Sequence, residues 1–152
     1  LESYGHCLQE GMSNPMSSLD FSSSGLLASG DGNGFINVWD ITKTEDLVVD
    51  GAKKRKTKSG SKSKKTISAS ISIESAHSQL VSGLSWGNHN SKAENNNNTH
   101  LISGSWDHSI KLWDVAKQDC VLTLNGSRVV SCLDTSYHSE GVVATGHPDC
   151  TI

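Results

Sequence analysis

LISGSWDHSIKLWD, residues 101–114, contains two apolar runs joined by a Trp-Asp-His-Ser turn. Leu101 and Ile102 favour β-structure, and the Ser103-Gly104 pair is expected to break that run. Asp107 suits a tight turn, after which apolar residues alternate with a lysine over residues 110–113. This stretch therefore predicts a β-hairpin that ends in a Trp-Asp dipeptide.

The same pattern occurs in two other parts of the chain. SGDGNGFINVWD at residues 29–40 aligns without a gap with residues 103–114, and ATGHPDCTI at 144–152 aligns with the start of the same unit. Asp149 follows Asp107 by 42 positions, within the period of about 40–45 residues of one propeller blade. Trp113 follows Trp39 by 74 positions, which indicates an insertion between the first two copies.

The strand that opens each repeat is also copied. It reads PMSSLDF at 15–21, LVSGLSW at 80–86 and VVSCLDT at 129–135. Together with the Trp-Asp hairpins, these strands resemble the WD-repeat β-propeller family, whose blade is a four-stranded antiparallel sheet. The resemblance implies an all-β fold, with about three blades of a larger propeller for which seven blades are expected.

The resemblance also implies a structural, non-catalytic tetrad of hydrogen-bonded side chains in the second repeat. Its members would be His77, Ser103, Asp107 and Trp113. The chemistry fits, because an indole N–H only donates, a serine hydroxyl and a neutral imidazole both donate and accept, and a carboxylate accepts.

The other two repeats depart from the tetrad pattern. The first has Ser29 and Trp39, but Asn33 and Met12 occupy the Asp and His positions. The third has Thr145 and Asp149 at the Ser and Asp positions, with Gly126 at the His position. We therefore expect the second repeat to have the complete tetrad.

Four segments are predicted along the chain. Residues 1–14 are the end of a preceding blade, 15–76 and 77–125 are blades, and 126–152 are a partial blade. The strands of these segments are expected at about 15–21, 25–30, 34–40, 67–74, 80–86, 119–124, 128–135 and 140–146, in addition to the 101–114 hairpin. Three blades cannot close a propeller, which takes about four to eight, so a fragment truncated at both ends is expected.

Two polar insertions are predicted in loops, at residues 41–66 and 88–99. Residues 53–65 hold 8 of the 13 basic residues and no acidic one. The run Lys53-Lys54-Arg55-Lys56 resembles a nuclear-import signal, and the same segment could contact RNA phosphates. A solvated charged loop is the alternative interpretation.

Three other motifs were weighed against the repeat. Gly83-Leu84-Ser85-Trp86-Gly87 matches a nucleophile elbow, but no helix is predicted after it, so Ser85 is interpreted as a solvent-facing strand residue. Residues 29–40 resemble an EF-hand loop or a phosphate-binding glycine loop, and neither has the required flanking helix. No metal, cofactor, small-molecule substrate or membrane span is expected.

The four cysteines have no metal-ligand spacing. Cys7, Cys120, Cys132 and Cys150 are scattered along the chain, without a Cys-x-x-Cys pair. We interpret them as reduced thiols that are mostly buried.

A narrower resemblance rests on the lysine-rich insertion followed by HSQLVSGLSW and SGSWDHSIKLWDV. These features look like the WD-repeat member of pescadillo-type ribosome-assembly complexes. That likeness implies a non-enzymatic scaffold in the nucleolus and nucleoplasm, with pescadillo-type factors and pre-ribosomal particles as partners. It also implies a partner-binding rim that includes Trp106 and Leu80. The family's N-terminal ubiquitin-like domain has no counterpart in this chain.

Two alternative functions remain open from the sequence. One is a WD-repeat adaptor of another nuclear assembly, such as a chromatin or ubiquitin ligase complex. The other is a direct RNA-binding module that uses the basic loop. The basic loop contains no aromatic residue, so stacking on bases from this segment is not expected.

Overall fold

The computed structural model describes residues 14–42, 69–87, 100–136 and 142–152, and these residues form ten β-strands and no helix. The strands are β1 (Met16–Phe21), β2 (Leu26–Asp31), β3 (Ile36–Asp40), β4 (Ile71–Ile73), β5 (Val81–Trp86), β6 (His100–Ser105), β7 (Ser109–Asp114), β8 (Asp119–Asn125), β9 (Cys132–Thr135) and β10 (Val143–Gly146). The prediction of an all-β protein is confirmed.

The strands form three antiparallel sheets in chain order. The first sheet is β1-β2-β3-β4, the second is β5-β6-β7-β8, and the third is the pair β9-β10. Each tight hairpin follows from its turn residues. In the first sheet, for example, Gly34 takes the left-handed conformation, with φ of 85°, that the Asn33-Gly34 turn requires.

The three sheets stand side by side through their first strands. Ser17 Oγ in β1 donates to Val81 O of β5 at 2.6 Å, and the equivalent Ser82 Oγ donates to Val130 O, just before β9. At the other end of the same strands, Trp86 N donates to Asp20 Oδ2 at 2.8 Å. The repeated Ser position therefore joins each sheet to the next.

The hydrophobic core lies between the first two sheets. It contains Ala28, Ile36, Val38 and Ile73 from the first sheet, and Val81, Leu84, Trp86, Leu101 and Trp113 from the second. Ile36 and Val38 of β3, and Leu84 and Trp86 of β5, are two residues apart because strand side chains alternate between faces.

The antiparallel order places the connections at two opposite ends of the sheets. The end that carries the turns 32–35 and 106–108 and the links 74–80 and 126–131 is called the rim end. Both predicted insertions belong to connections at the other end, the insertion end, between β3 and β4 and between β5 and β6. Residues 43–68 and 88–99 themselves lie outside the described residues.

Several predicted strands are shorter or longer in the structure. The strand predicted at 128–135 begins at Cys132, because Val130 N donates instead to Ser105 O at the rim end. Among the described residues, the strand predicted at 67–74 comprises Ile71–Ile73 and the strand predicted at 140–146 comprises Val143–Gly146. Residues 67–68 and 140–141 lie outside the described residues. Ser103 and Gly104 do not break β6, which continues to Ser105 because both residues pair with β5 and β7.

Candidate functional site

The structure brings His77, Ser103, Asp107 and Trp113 together in the second sheet. Trp113 Nε1 donates to Ser103 Oγ at 2.8 Å, and Ser103 Oγ lies 2.7 Å from His77 Nε2. His77 Nδ1 lies 3.0 Å from Asp107 Oδ2. Because the carboxylate only accepts and the serine has already accepted from the indole, we assign the imidazole proton to Nδ1.

Burial sets the charge state of this chain of hydrogen bonds. Burial of the ring lowers the pKa of His77 below 6.5 and outweighs the opposing effect of Asp107. Burial acts to raise the pKa of Asp107, but hydrogen bonds from Ser109 and from the Ser78 N–H, with His77 nearby, hold that pKa well below its ordinary value. At neutral pH the contact is therefore a hydrogen bond from a neutral imidazole to a carboxylate.

The tetrad is connected to two rim residues. Asp107 is the second residue of the turn that carries Trp106, and Trp106 N donates to Leu80 O at 3.0 Å. Ser105 Oγ donates at 3.3 Å to the backbone oxygen of Gln79, which precedes Leu80 in the link between β4 and β5. The Trp106 side chain is 47% exposed, and Leu80 is half-buried. An exposed aromatic side chain on a hydrogen-bonded turn is a suitable anchor for a protein partner.

The described residues of the first sheet form no comparable chain of hydrogen bonds. Ser29 Oγ and Trp39 Nε1 are buried and have no hydrogen-bond partner among the described residues. Met12, which aligns with His77, lies outside those residues. The turn is held instead by Asp31, whose Oδ1 accepts from Asn33 N at 2.9 Å and from Phe35 N at 3.0 Å.

The third sheet contains a histidine that the sequence analysis missed. Thr145 Oγ1 lies 3.3 Å from His147 Nε2, and the other ring nitrogen contacts Val129 O at 2.9 Å. The Thr-Gly-His order, with the imidazole two residues after the threonine, was the available signal. Asp149 does not join this group, because it pairs with Arg128 at 3.1 Å.

Two interpretations from the sequence are wrong. Ser85 does not face solvent: it is 5% exposed, and its hydroxyl lies 2.8 Å from Thr135 Oγ1 of the third sheet. The cysteines are not mostly buried, since Cys120, Cys132 and Cys150 are exposed free thiols, and Cys7 lies outside the described residues. Both errors arise because exposure depends on how neighbouring sheets pack.

The described part of the chain lacks two features, a clustered set of metal ligands and a long apolar helix. It holds no group of three His, Cys, Asp or Glu side chains arranged to bind a metal ion. It also has no helix of sufficient length and apolar character to cross a membrane. The basic run Lys53-Lys54-Arg55-Lys56 lies outside the described residues.

A family model and a solved structure match this architecture. Residues 4–40 and 65–114 match the model of the WD domain, G-beta repeat. The crystal structure of the Cps50 (Swd1) β-propeller domain of Myceliophteria thermophila aligns with 90% of this chain and 33% of that chain, with a TM-score of 0.59 and 16% sequence identity. The prediction of blades from a WD-repeat β-propeller is confirmed.

Curated relatives with similar sequences have a common name. The ribosome biogenesis protein WDR12 homolog of Chlamydomonas reinhardtii is 38% identical over 73 residues, which are 48% of this chain and 14% of the relative. The homolog from Oryza sativa subsp. japonica is 27% identical over 134 residues, which are 84% of this chain and 28% of the relative. The chain thus spans less than a third of the length of these two relatives.

Proposed function

The chain belongs to the WD domain, G-beta repeat family, and on that premise we propose that it is a non-enzymatic protein-interaction scaffold in maturation of the large ribosomal subunit and its precursor rRNA. Support comes from the relatives, which are named ribosome biogenesis proteins. The observation that carries a scaffold role is the exposed Trp106 in a hydrogen-bonded turn at the rim end. Pescadillo-type assembly factors are the proposed partners, in the nucleolus and nucleoplasm.

The geometry of the second sheet favours a structural role for the tetrad over catalysis. In the tetrad, each polar side-chain atom that links Trp113, Ser103, His77 and Asp107 has a hydrogen-bond partner, and His77 is buried. A general base needs access to a substrate proton. We therefore propose that the tetrad stabilises the blade and positions the turn that carries Trp106.

Affinity purification of the full-length protein from nuclear extract, followed by mass spectrometry, tests the proposed function. Recovery of large-subunit precursors with pescadillo-type factors is the expected result. A stable set of chromatin or ubiquitin ligase subunits in their place would favour the alternative of another nuclear adaptor and would contradict the ribosomal assignment.

Trp106→Ala is expected to weaken binding of the principal protein partner by about 2 kcal/mol, or roughly 30-fold in Kd, with little loss of stability. The indole is half-exposed, so few contacts within the chain are lost. The measurement is the Kd of the recovered partner, with thermal unfolding of each variant. Val121→Ala is the control, because Val121 is 56% exposed in β8 and lies away from the rim end.

Equal loss of folding and binding in Trp106→Ala would contradict the rim proposal. In that case the indole would be a packing residue. Unchanged binding by a well-folded variant would also contradict the rim proposal, because the partner would then bind a different surface.

RNA binding through the basic segment is the second proposed function. Residues 53–65 carry 8 basic residues and no acidic one, and in the sequence they lie between β3 and β4. The same segment, through Lys53-Lys54-Arg55-Lys56, is also proposed as the nuclear-import signal.

Replacement of all eight basic residues in 53–65 by Gln separates these roles. If the segment contacts RNA, the affinity of the full-length protein for a single-stranded RNA probe should fall at least 10-fold and lose most of its salt dependence. If it is an import signal, RNA affinity stays and nuclear accumulation is lost. Loss of neither property would indicate a solvated loop. A variant with Thr57, Ser59, Ser61 and Ser63 changed to Ala is the control for sequence disruption without charge loss.

A further inference from the structure

A polar cleft opens between the first two sheets at the rim end. Its volume is about 640 Å³. Lys111 in β7 and Thr123 in β8 are paired across the strands and lie on one face, as do Ser109 and Asn125. The link between β4 and β5 forms the opposite wall through Ser75 and Ser78.

Lys111 supplies a cation to this cleft. Its ammonium donates to Ala76 O at 2.6 Å and lies 5.6 Å from the centre of the Trp113 ring. The side chain is half-buried, and none of the described carboxylates forms an ion pair with it. An ammonium has three donors, so two N–H groups remain available in a position that is partly removed from water.

Asp107 also lines the cleft, but its acceptor sites are already engaged. Oδ1 accepts from Ser109 N at 3.0 Å and from Ser109 Oγ at 2.6 Å. Oδ2 accepts from Ser78 N and from His77 Nδ1, both at 3.0 Å. The negative charge of Asp107 remains in the cleft, but its oxygen atoms have no free acceptor site for a ligand cation. The groups left to bind a ligand are the Lys111 ammonium and neutral hydroxyl and amide side chains, whose N–H and O–H donors match a carboxylate.

We propose that this cleft receives an Asp or Glu side chain of the protein that binds the rim. The inference rests on the proposed scaffold function and names the chemistry of the partner. Trp106 is adjacent to Asp107 at the cleft wall, and Leu80 lies in the same link as Ser78. A partner segment could place an apolar side chain against Trp106 and a nearby carboxylate in the cleft. The carboxylate would pair with Lys111 and select acidic partners over neutral ones.

Zero-length carbodiimide crosslinking of the full-length protein in its purified native complex tests this contact. Carbodiimide joins a lysine amine to a carboxylate that is in direct contact. The expected product is a peptide that links Lys111 to an Asp or Glu of another protein. Lys117 is an internal control, because it is 76% exposed and contacts Asp114 at 2.7 Å. Crosslinks at Lys117 without an intermolecular crosslink at Lys111 would overturn the proposal.

A matched pair of variants gives an independent result. Lys111→Gln should weaken the partner complex at least five-fold, and the difference from wild type should shrink in high salt. Lys117→Gln removes the same charge at the insertion end and should leave the affinity unchanged. Lys111→Arg should restore much of the affinity, because it keeps the charge. If Lys111→Gln binds as well as Lys117→Gln while both unfold at wild-type temperature, the cleft does not hold a carboxylate.

The cleft and the scaffold role can fail separately. Recovery of large-subunit factors with no Lys111 crosslink would leave the proposed function standing and remove the cleft proposal. A Lys111 crosslink to a protein outside ribosome assembly would support the cleft proposal and contradict the proposed function.

Discussion

Gly34→Ala is expected to lower the free energy of unfolding by about 3 kcal/mol or more. Gly34 has a φ of 85°, which costs any residue with a Cβ about 1–2 kcal/mol. An added Cβ would also lie 2.0 Å from the carbonyl oxygen of His77 and 2.7 Å from its carbon. Both atoms belong to the backbone, so the turn and the link that carries His77 must separate.

The displaced link is the one that positions the tetrad. His77 N donates to Gly34 O at 3.0 Å, and this bond joins the turn of the first sheet to the second sheet. We therefore expect Gly34→Ala to weaken rim binding as well as stability. Urea denaturation of the full-length protein measures the loss of stability, and the Kd of the rim partner measures the loss of binding.

Gly32→Ala is the control in the same turn. A Cβ at Gly32 would meet no atom within 4 Å, and its φ lies outside the positive range. This variant should differ from wild type by less than about 0.5 kcal/mol. If the two variants were equally stable, the close packing of the turn against His77 would be contradicted.

His77→Ala is expected to lower the free energy of unfolding by about 3 kcal/mol. The change removes a fully buried ring and leaves a cavity next to Trp113, whose ring centre lies 6.5 Å away. It also removes the partner of the Ser103 hydroxyl and one donor to Asp107. Chemical denaturation at pH 7.5 gives the magnitude.

The pH dependence of stability provides a second readout. Because burial lowers the pKa of His77 below 6.5, the unfolded chain binds a proton at a higher pH than the folded chain. The His77 contribution is therefore complete above about pH 6.5 and decreases as the pH falls below it. The lowered pKa of Asp107 acts in the same direction. The stability that Asp107 contributes begins to be lost as the pH falls to near 3.8, the ordinary pKa of an aspartate.

His77→Gln isolates the histidine contribution, because an amide can accept from Ser103 and donate to Asp107 without titrating. Between pH 7.5 and 5, its free energy of unfolding should decrease less than that of the wild type. Parallel profiles for the two proteins would show that His77 is not kept neutral by burial.

The first sheet offers a matched comparison for the hydrogen bond itself. Trp113→Phe removes an indole N–H that donates to Ser103, whereas Trp39→Phe removes one that has no partner among the described residues. Both indoles are buried. Trp113→Phe should therefore cost about 1 kcal/mol more than Trp39→Phe.

The sequence alone was sufficient for the features that repeat within one sheet. Strand alternation and the Trp-Asp hairpin have a short period, so the all-β fold and the family could be predicted from residues 101–114 and their copies. The residues of the tetrad could also be named, because the resemblance to the WD-repeat family implied a position for each of them in the second repeat. Strand alternation and the hairpin turn depend on local geometry, which neighbouring residues determine.

Tertiary packing decided the features that involve two sheets. The contact of Gly34 with His77, the burial of Ser85 against Thr135 and the cleft around Lys111 each join residues from different sheets or from the links between them. His147 was missed for a related reason, because its partner Val129 O comes from the link between the second and third sheets. A linear pattern shows which face of a strand a side chain occupies. It does not show what the next sheet places opposite that face, and burial, hydrogen bonding and charge state at this site all depend on that packing.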